Sequence, residues 1–413
     1  MSIDLPAPAT SLRQDARLIG LVAIAHTVSH FSQLWLPPLF PWLKDAFHAS
    51  YTELGFLITI FFAVSCTVQA LSGFWVDRFG PRPILFVGLS VLALAACGFS
   101  MSTNYFMLAT FAALAGVGNG VFNPVDYTLL NKNVAATRLG HAYSTHGISG
   151  TLGWALAPTL LVPLALNFGW RASLLAAGCV VAAVLLLLIV NKQHLVLLLA
   201  PAAATAKTAT AESAGRALDF LKIPAVWMCF WFFLLYAIVL SVIQAFAPSA
   251  AGHLHHVPYG LSAVCLTVYM VCAAAGMVFG GFLASDPQRC ERVVGVAFGI
   301  AALFALTLGL ADVAPMMVPV LFGLMGCAAG ISSPSRDMLV KKSTPANSTG
   351  RVYGVVYSGL DIGQALAPLF FGAMMDRHHY TGIFVALAAV QAVLIFSAFN
   401  VRHARRTPTT VEV

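Results

Sequence analysis

Val180-Val-Ala-Ala-Val-Leu-Leu-Leu-Leu-Ile-Val190 is an unbroken run of apolar side chains. It lies in a longer apolar segment, about 170–191. A strand of a membrane barrel would alternate apolar and polar side chains over about ten residues. This run does not alternate, and a stretch of about 20 apolar residues is the length of a membrane-spanning helix. Inside a bilayer the backbone must satisfy its own hydrogen bonds, which a helix does within a single segment. Working outward from it, eleven further segments read the same way: about 18–43, 52–77, 83–101, 104–131, 138–166, 222–251, 258–284, 292–311, 314–340, 350–375 and 380–400. The sequence therefore predicts an all-α polytopic membrane protein with twelve transmembrane helices.

Composition agrees. Of 413 residues, 59% are AVILMFWYC and only 9% carry formal charge, against roughly 25% in an ordinary soluble domain. A soluble enzyme, a disordered chain and a nucleic-acid binder are all excluded on that ground. The eight cysteines form no CxxC and sit almost entirely in apolar runs, so they read as small buried side chains. Neither a metal nor a cofactor is expected. Residues 1–16 are polar and contain Pro6 and Pro8, which is not the start of a signal peptide.

Most connections are short. The exception, 192–221, carries Pro201, an Ala/Thr stretch, Lys207, Glu212, Arg216 and Asp219. It reads as a linker between two units of six spans, 1–191 and 222–413. With the N-terminus placed inside, 18 of the 22 Lys and Arg fall on inside segments; Lys44, Arg171 and Arg377 fall outside, and Arg336 lies within a span. That asymmetry predicts an inner-membrane protein with both termini in the cytoplasm, and it accounts for the net charge of +7 without a polyanionic partner.

The two units are copies. An offset of 210 carries Gly116, Gly120, Pro124, Leu129, Lys132, Ala136, Gly140, Tyr143, Gly153 and Ala155–Pro158 onto identical residues from Gly326 to Pro368. An offset of 208 carries Tyr51 and Gly73 onto Tyr259 and Gly281. Each copy has an even number of spans, so the two share an orientation and are related by a pseudo-two-fold along the membrane normal. A polytopic enzyme would need a catalytic cluster at one interface and gives no reason for such a duplication.

After the second span comes Gly73-Phe-Trp-Val-Asp77-Arg78-Phe-Gly80-Pro81-Arg82. It resembles the cytoplasmic signature of the major facilitator superfamily, Gly-xxx-Asp-Arg-x-Gly-basic-basic, with Pro81 at the first basic position. The counterpart of Asp77 in the second copy is Ser285. The resemblance implies two six-helix bundles, a central cavity walled by spans 1, 4, 7 and 10 and flanked by 5 and 11, and transport by alternating access. It makes Gly73, Asp77, Arg78, Gly80 and Arg82 a cytoplasmic gate motif, with Asp77 facing the start of span 11 near Ser348 and Thr349. Asn119–Pro124 and Ser149–Pro158 are similar to stretches of the fosmidomycin-resistance efflux branch. The arginine that many proton-coupled members carry on helix 4 is absent here; Ala112 or a neighbour stands there.

Ionisable residues inside spans are functional candidates by default. Spans 3, 6, 9 and 12 have none in their centres, as expected of helices facing lipid. His26 and His30 lie four apart on one helix face, either moving protons or binding substrate, or else bonded to carbonyls or water; Gln33 joins them as a candidate. Asp126 and Arg336 are equivalent under the repeat and are expected to pair across the units as a gate or anion site, the pair made when the cytoplasmic ends close and broken when they open, or else to snorkel separately to the cytoplasmic interface. Asp361, near mid-span, reads as a proton carrier or as the partner of a histidine or arginine. His146 completes the set, and Asp337 reads as a local partner of Lys341. The His253, His255, His256 group reads as a solvated loop. The resulting expectation is a monomeric, proton-coupled carrier of a small, anionic or amphipathic organic solute. Export of a toxic compound is favoured over uptake of a nutrient acid.

Overall fold

The computed structural model describes residues 11–135, 137–197, 224–283, 289–343 and 349–406. Among the described residues all regular structure is helical. The twelve spans are α1 (Leu12–Gln33, resumed after a Pro37–Leu39 turn by Phe40–Phe47), α2 (Tyr51–Phe79), α3 (Pro81–Met101), α4 (Tyr105–Asn119 and Phe122–Asn133), α5 (Leu139–Phe168) and α6 (Trp170–Val190) in the first bundle. The second holds α7 (Pro224–Ala245 and Ala247–His255), α8 (Tyr259–Leu283), α9 (Cys290–Leu310), α10 (Val318–Ser343), α11 (Thr349–Asp376) and α12 (Tyr380–Arg406). Most of the 192–221 linker lies outside the described residues. The bundle face where α1 starts is called the N-terminal face below, and the opposite one the far face.

Three spans that read as single runs are broken, each for a local reason. Pro37 and Pro38 follow Gln33 and cannot donate to the preceding turn, so α1 stops and restarts. In α4, Pro124 removes the amide that would bond back to Gly120, and the helix breaks at Gly120–Val121. The repeat partner Pro334 sits inside an unbroken α10, so proline permits the break without dictating it. In α7 the interruption is at Phe246, ahead of Pro248. The corners after α2 and α5 are turned by Gly80 (φ 83°) and Gly169 (φ 85°), a backbone region that only glycine enters cheaply.

The duplication visible in sequence is a duplication of contacts. A Cβ on Gly116 or Gly120 would run into the backbone of α2 at Phe61 and Ser65; a Cβ on Gly326 or Gly330 would run into α8 at Tyr269 and Ala273. Gly153 packs against the carbonyl of Thr27 on α1, and Gly363 against the carbonyl of Leu234 on α7. In lipid, helices gain little from burying apolar area against one another, so close backbone packing on small residues carries the association. These paired glycines are the sites of that packing.

As expected for lipid-facing spans, α3, α6, α9 and α12 present exposed large side chains: Val87 and Leu94, Leu186 and Val190, Val296 and Leu303, Val393 and Phe396. Cys229, Cys265 and Cys290 are buried, but Cys179 is exposed, so the eight free thiols are not uniformly interior.

One structural ion pair escaped the sequence reading. Asp15, fully buried in the first turns of α1, receives both Nε and Nη2 of Arg138 at 2.7 Å and the amide of Ala135 at 3.2 Å. It fixes α1 to the connection between α4 and α5. Arg138→Ala leaves a buried carboxylate without its cation, a loss of about 3–5 kcal/mol where the pair is buried. Partial exposure of the arginine places the expected loss at the lower end, about 3 kcal/mol. A fall in the thermal midpoint of the purified protein, with Arg138→Lys intermediate, is the outcome to measure.

Candidate functional site

The deepest polar cluster of the first bundle is built from α1, the second half of α4, and α5. Asp126 has no exposed surface. Its Oδ2 meets Nδ1 of His26 at 3.0 Å and Nε2 of His146 at 3.2 Å. The two imidazoles stack with ring centroids 3.5 Å apart and planes 25° apart. His30, one turn along α1, lies 4.5 Å from His26 and 4.3 Å from the Trp154 ring. Trp154 donates its indole N–H to Gln33 Oε1 at 2.9 Å. Five of the candidates named from sequence, with Gln33 at the end and Trp154 between, thus form one chain of contacts.

Local sequence makes the room. A Cβ on Gly150 would lie 2.7 Å from His30 Cε1 and 3.1 Å from His26 Nε2, so any larger residue there would push the imidazoles from their positions. Gly153 brings α5 onto α1, and Thr27 Oγ1 bonds to the Ser149 carbonyl at 3.2 Å. The break in α4 sets the direction of Asp126, four residues into the restarted helix.

His26, Asp126 and His146 offer three ligand atoms within 4.8 Å of one another, a spacing a metal ion could bridge. The ring arrangement disfavours it. A metal must lie near the plane of each imidazole, along its lone pair, about 2.0–2.1 Å from nitrogen. Two rings stacked nearly parallel at 3.5 Å cannot both aim in-plane lone pairs at one such point, whereas both can direct an N–H at one carboxylate oxygen. The arrangement suits protons.

Electrostatically the cluster has one balanced state. A carboxylate with one imidazolium is neutral; removing that proton or adding a second leaves net charge in the bundle interior, where unpaired charge is costly.

In this conformation Asp126 and Arg336 are not paired with each other. Its carboxylate turns inward to α1 and α5 of its own bundle. Arg336 turns to α7 of the other, its guanidinium 4.5 Å from the Tyr236 ring and 5.0 Å from the Phe233 ring. The repeat explains the geometry. The matched contacts Gly153–Thr27 and Gly363–Leu234 set an offset of 207 between α1 and α7, which makes Phe233 the counterpart of His26. A carboxylate on an imidazole in one copy has become a guanidinium on an aromatic face in the other, and each charge is met within its own bundle.

Asp361 is the candidate that reaches across. Its Oδ2 accepts Gln69 Nε2 of α2 at 3.2 Å, with the Cys66 thiol alongside, and Gln69 Oε1 accepts Asn123 Nδ2 of α4 at 2.8 Å. Its partners are thus an amide and a thiol, and neither a histidine nor an arginine. A second neutral network was also missed: Ser29 donates to Asn119 Oδ1 at 2.7 Å, and Asn119 donates to Ser65 at 3.0 Å, tying α1, α2 and α4 at the α4 break.

In the gate motif, Asp77 is exposed, Arg78 lies over the Phe79 ring at 5.2 Å, and Gly80 makes the corner. Its expected partner Ser348, and the side chains of Thr349, Asp337 and Lys341, lie outside the described residues. The histidine group on the far face is not a solvated loop throughout: His255 is buried against the Leu308 carbonyl at 2.8 Å, and His253 stacks on Tyr380.

The profile of the Major Facilitator Superfamily matches residues 22–318, and again 266–412. The chain belongs to that superfamily. An uncharacterized MFS-type transporter of Bacillus subtilis, YfnC, is 24% identical over 380 residues, covering 90% of this chain and 89% of its own. The fosmidomycin resistance protein of Escherichia coli is 22% identical over 163 residues, 40% of each chain. Among solved structures, a bacterial homolog to the human lysosomal transporter Spinster, in an inward-facing and unoccupied conformation, superposes with a TM-score of 0.76. It shares 15% identity and covers 96% of this chain and 98% of its own, which is a likeness of fold. The superfamily consists of membrane transporters of bundle-on-bundle architecture, and this protein is a polytopic membrane transporter rather than an enzyme.

Proposed function

We propose that the protein is a proton-coupled secondary transporter of the inner membrane that exports a small anionic or amphipathic organic solute by alternating access. The Lys and Arg asymmetry supports a cytoplasmic N-terminal face. The single chain supplies both bundles and every candidate residue, so the working unit is the monomer.

The observation that carries the reading is the shared carboxylate of Asp126. A fully buried acid with two imidazoles on one oxygen and no solvent of its own is costly to keep in a membrane bundle. It earns that cost if its proton count changes during the cycle. His30, Trp154 and Gln33 then lead from the cluster along α1 and α5. Arg336 supplies the positive charge that favours an anionic substrate, and its aromatic neighbours suit an amphipathic one.

The coupling test uses inverted membrane vesicles carrying an imposed pH gradient. A panel of small organic anions should include at least one compound that dissipates the gradient with the wild-type protein and not with vesicles lacking it. Dissipation by no compound, with the same compounds still moved down their own gradients, would exclude proton coupling.

Asp361 has a separate expected role as the proton-sensitive contact between bundles. Asp361→Asn keeps an acceptor for the Gln69 amide, so the fold should persist. Proton-driven accumulation is expected to vanish while substrate exchange between equilibrated compartments continues. Wild-type pH dependence of driven transport in this variant would remove Asp361 from the coupling path.

A further inference from the structure

Among the described residues, a charged contact between the bundles lies on the far face, away from the gate motif. α2 starts at Tyr51 behind its own capping box, in which Glu53 N–H donates to Ser50 Oγ at 3.1 Å and Ser50 N–H to Glu53 Oε2 at 2.8 Å. The N–H groups of Tyr51 and Thr52 are left over by that box. Both go to the other bundle. Asp376, the last residue of α11, accepts Tyr51 N–H on Oδ1 at 2.7 Å; its Oδ2 accepts Thr52 N–H at 2.9 Å and the Thr52 hydroxyl at 2.6 Å. Lys44 stands beside them, over the Tyr51 ring at 4.5 Å.

Below this point the same seam is tight. A Cβ on Gly372 would lie 2.8 Å from the Tyr51 carbonyl, and one on Gly55 would lie 2.7 Å from the Pro368 carbonyl. Thr59 Oγ1 donates to the Ala365 carbonyl at 2.6 Å. Under the repeat, the other seam between bundles is α5 against α8, where the counterpart of Asp376 is Leu166, an exposed side chain. Among the described residues that seam carries a neutral Thr159–Thr267 hydroxyl contact at 3.1 Å.

We infer that Asp376 is the latch of the far-face gate: a carboxylate of one bundle clamping the N-terminus of a helix in the other. The physics favours a switch over a permanent brace. A carboxylate accepting three donors at a helix N-terminus makes charge-assisted hydrogen bonds backed by the helix dipole. All three are lost together when the far ends part, and the freed groups then face water, which satisfies them. The latch therefore adds to the stability of the far-closed state and nothing to the far-open one. It rests on the alternating-access reading, but requires neither a known substrate nor proton coupling.

The test is a distance. Spin labels on Ala46→Cys and Arg377→Cys, both exposed positions flanking the seam, are placed in a background with the eight native cysteines replaced. Distances are read by pulsed electron resonance in nanodiscs. The unmodified latch should give one dominant short distance. Asp376→Ala should raise a longer, far-open population by about tenfold, the effect of removing contacts that only one state makes. Asp376→Asn, which keeps the size and loses the charge, should shift it the same way and less. An unchanged distribution in both variants overturns the inference. Faster amide exchange at residues 51–54 without any change in distance also overturns it, because Asp376 would then be a helix cap alone.

Discussion

Asp126→Asn is expected to abolish proton-coupled transport while leaving a folded, membrane-inserted protein. The asparagine carbonyl oxygen can still accept both imidazole N–H groups that Oδ2 now receives, so the static loss is its own buried NH2 left over, roughly 1–3 kcal/mol. The functional loss is larger. A protonated His26 or His146 would have no counter-charge in the bundle, and an uncompensated buried charge costs about 3–5 kcal/mol. At about 1.4 kcal/mol per tenfold, the protonated state falls by a hundredfold or more. Driven transport should fall by the same order, with protein yield and thermal midpoint little changed. His26→Asn and His146→Asn should each lose less, because the remaining imidazole still balances the carboxylate. Equal losses in all three single variants, with a collapsed midpoint in each, would make the cluster a packing element.

Gly330→Ala should cost the most stability of any single methyl added to this chain's interior. Its new Cβ meets the Ala273 carbonyl of α8, and a backbone group cannot rotate away as a side chain can. Overpacking typically costs about 1–3 kcal/mol; the upper end is expected here, a fall of roughly 3–4 °C in the thermal midpoint. Gly120→Ala, against Ser65 of α2, should behave alike, since the two sites are copies. Gly281→Ala and Gly299→Ala have nothing within 4 Å and should be neutral. Matching midpoints for Gly330→Ala and Gly299→Ala would contradict the packing described.

The twelve spans and their duplication were legible because they are written in quantities sequence displays directly: runs of apolar residues and identical letters at a fixed offset. The same offset does not say which partners Asp126 and Arg336 take in this conformation. It reports equal position along two helices and is silent on which side of each helix a residue faces. Asp126 faces His26; the matching position in the second copy is Phe233, so the two charges turned to different partners in different bundles. His146 and His30 were recognisable as buried ionisable groups, but their meeting depended on Gly150 and Gly153, whose use as space for imidazole rings appears only once α1 and α5 are packed. Gln69, Asn119 and Asn123 were missed as site residues because a buried amide must find a partner but its position in the sequence does not say which one. Asp376 was missed because it sits at a helix end, where a carboxylate passes for ordinary surface.

The central claim is that Asp126 and its two imidazoles carry the coupled proton. The most direct measurement is purified protein in liposomes loaded with a pH-sensitive dye, exposed in turn to organic anions that dissipate a pH gradient in vesicles. Wild-type protein should show dye-reported proton flux that starts with the anion and stops without it, and Asp126→Asn should show anion exchange with no proton flux. Proton flux of wild-type size in Asp126→Asn, for the same anion, would contradict the account.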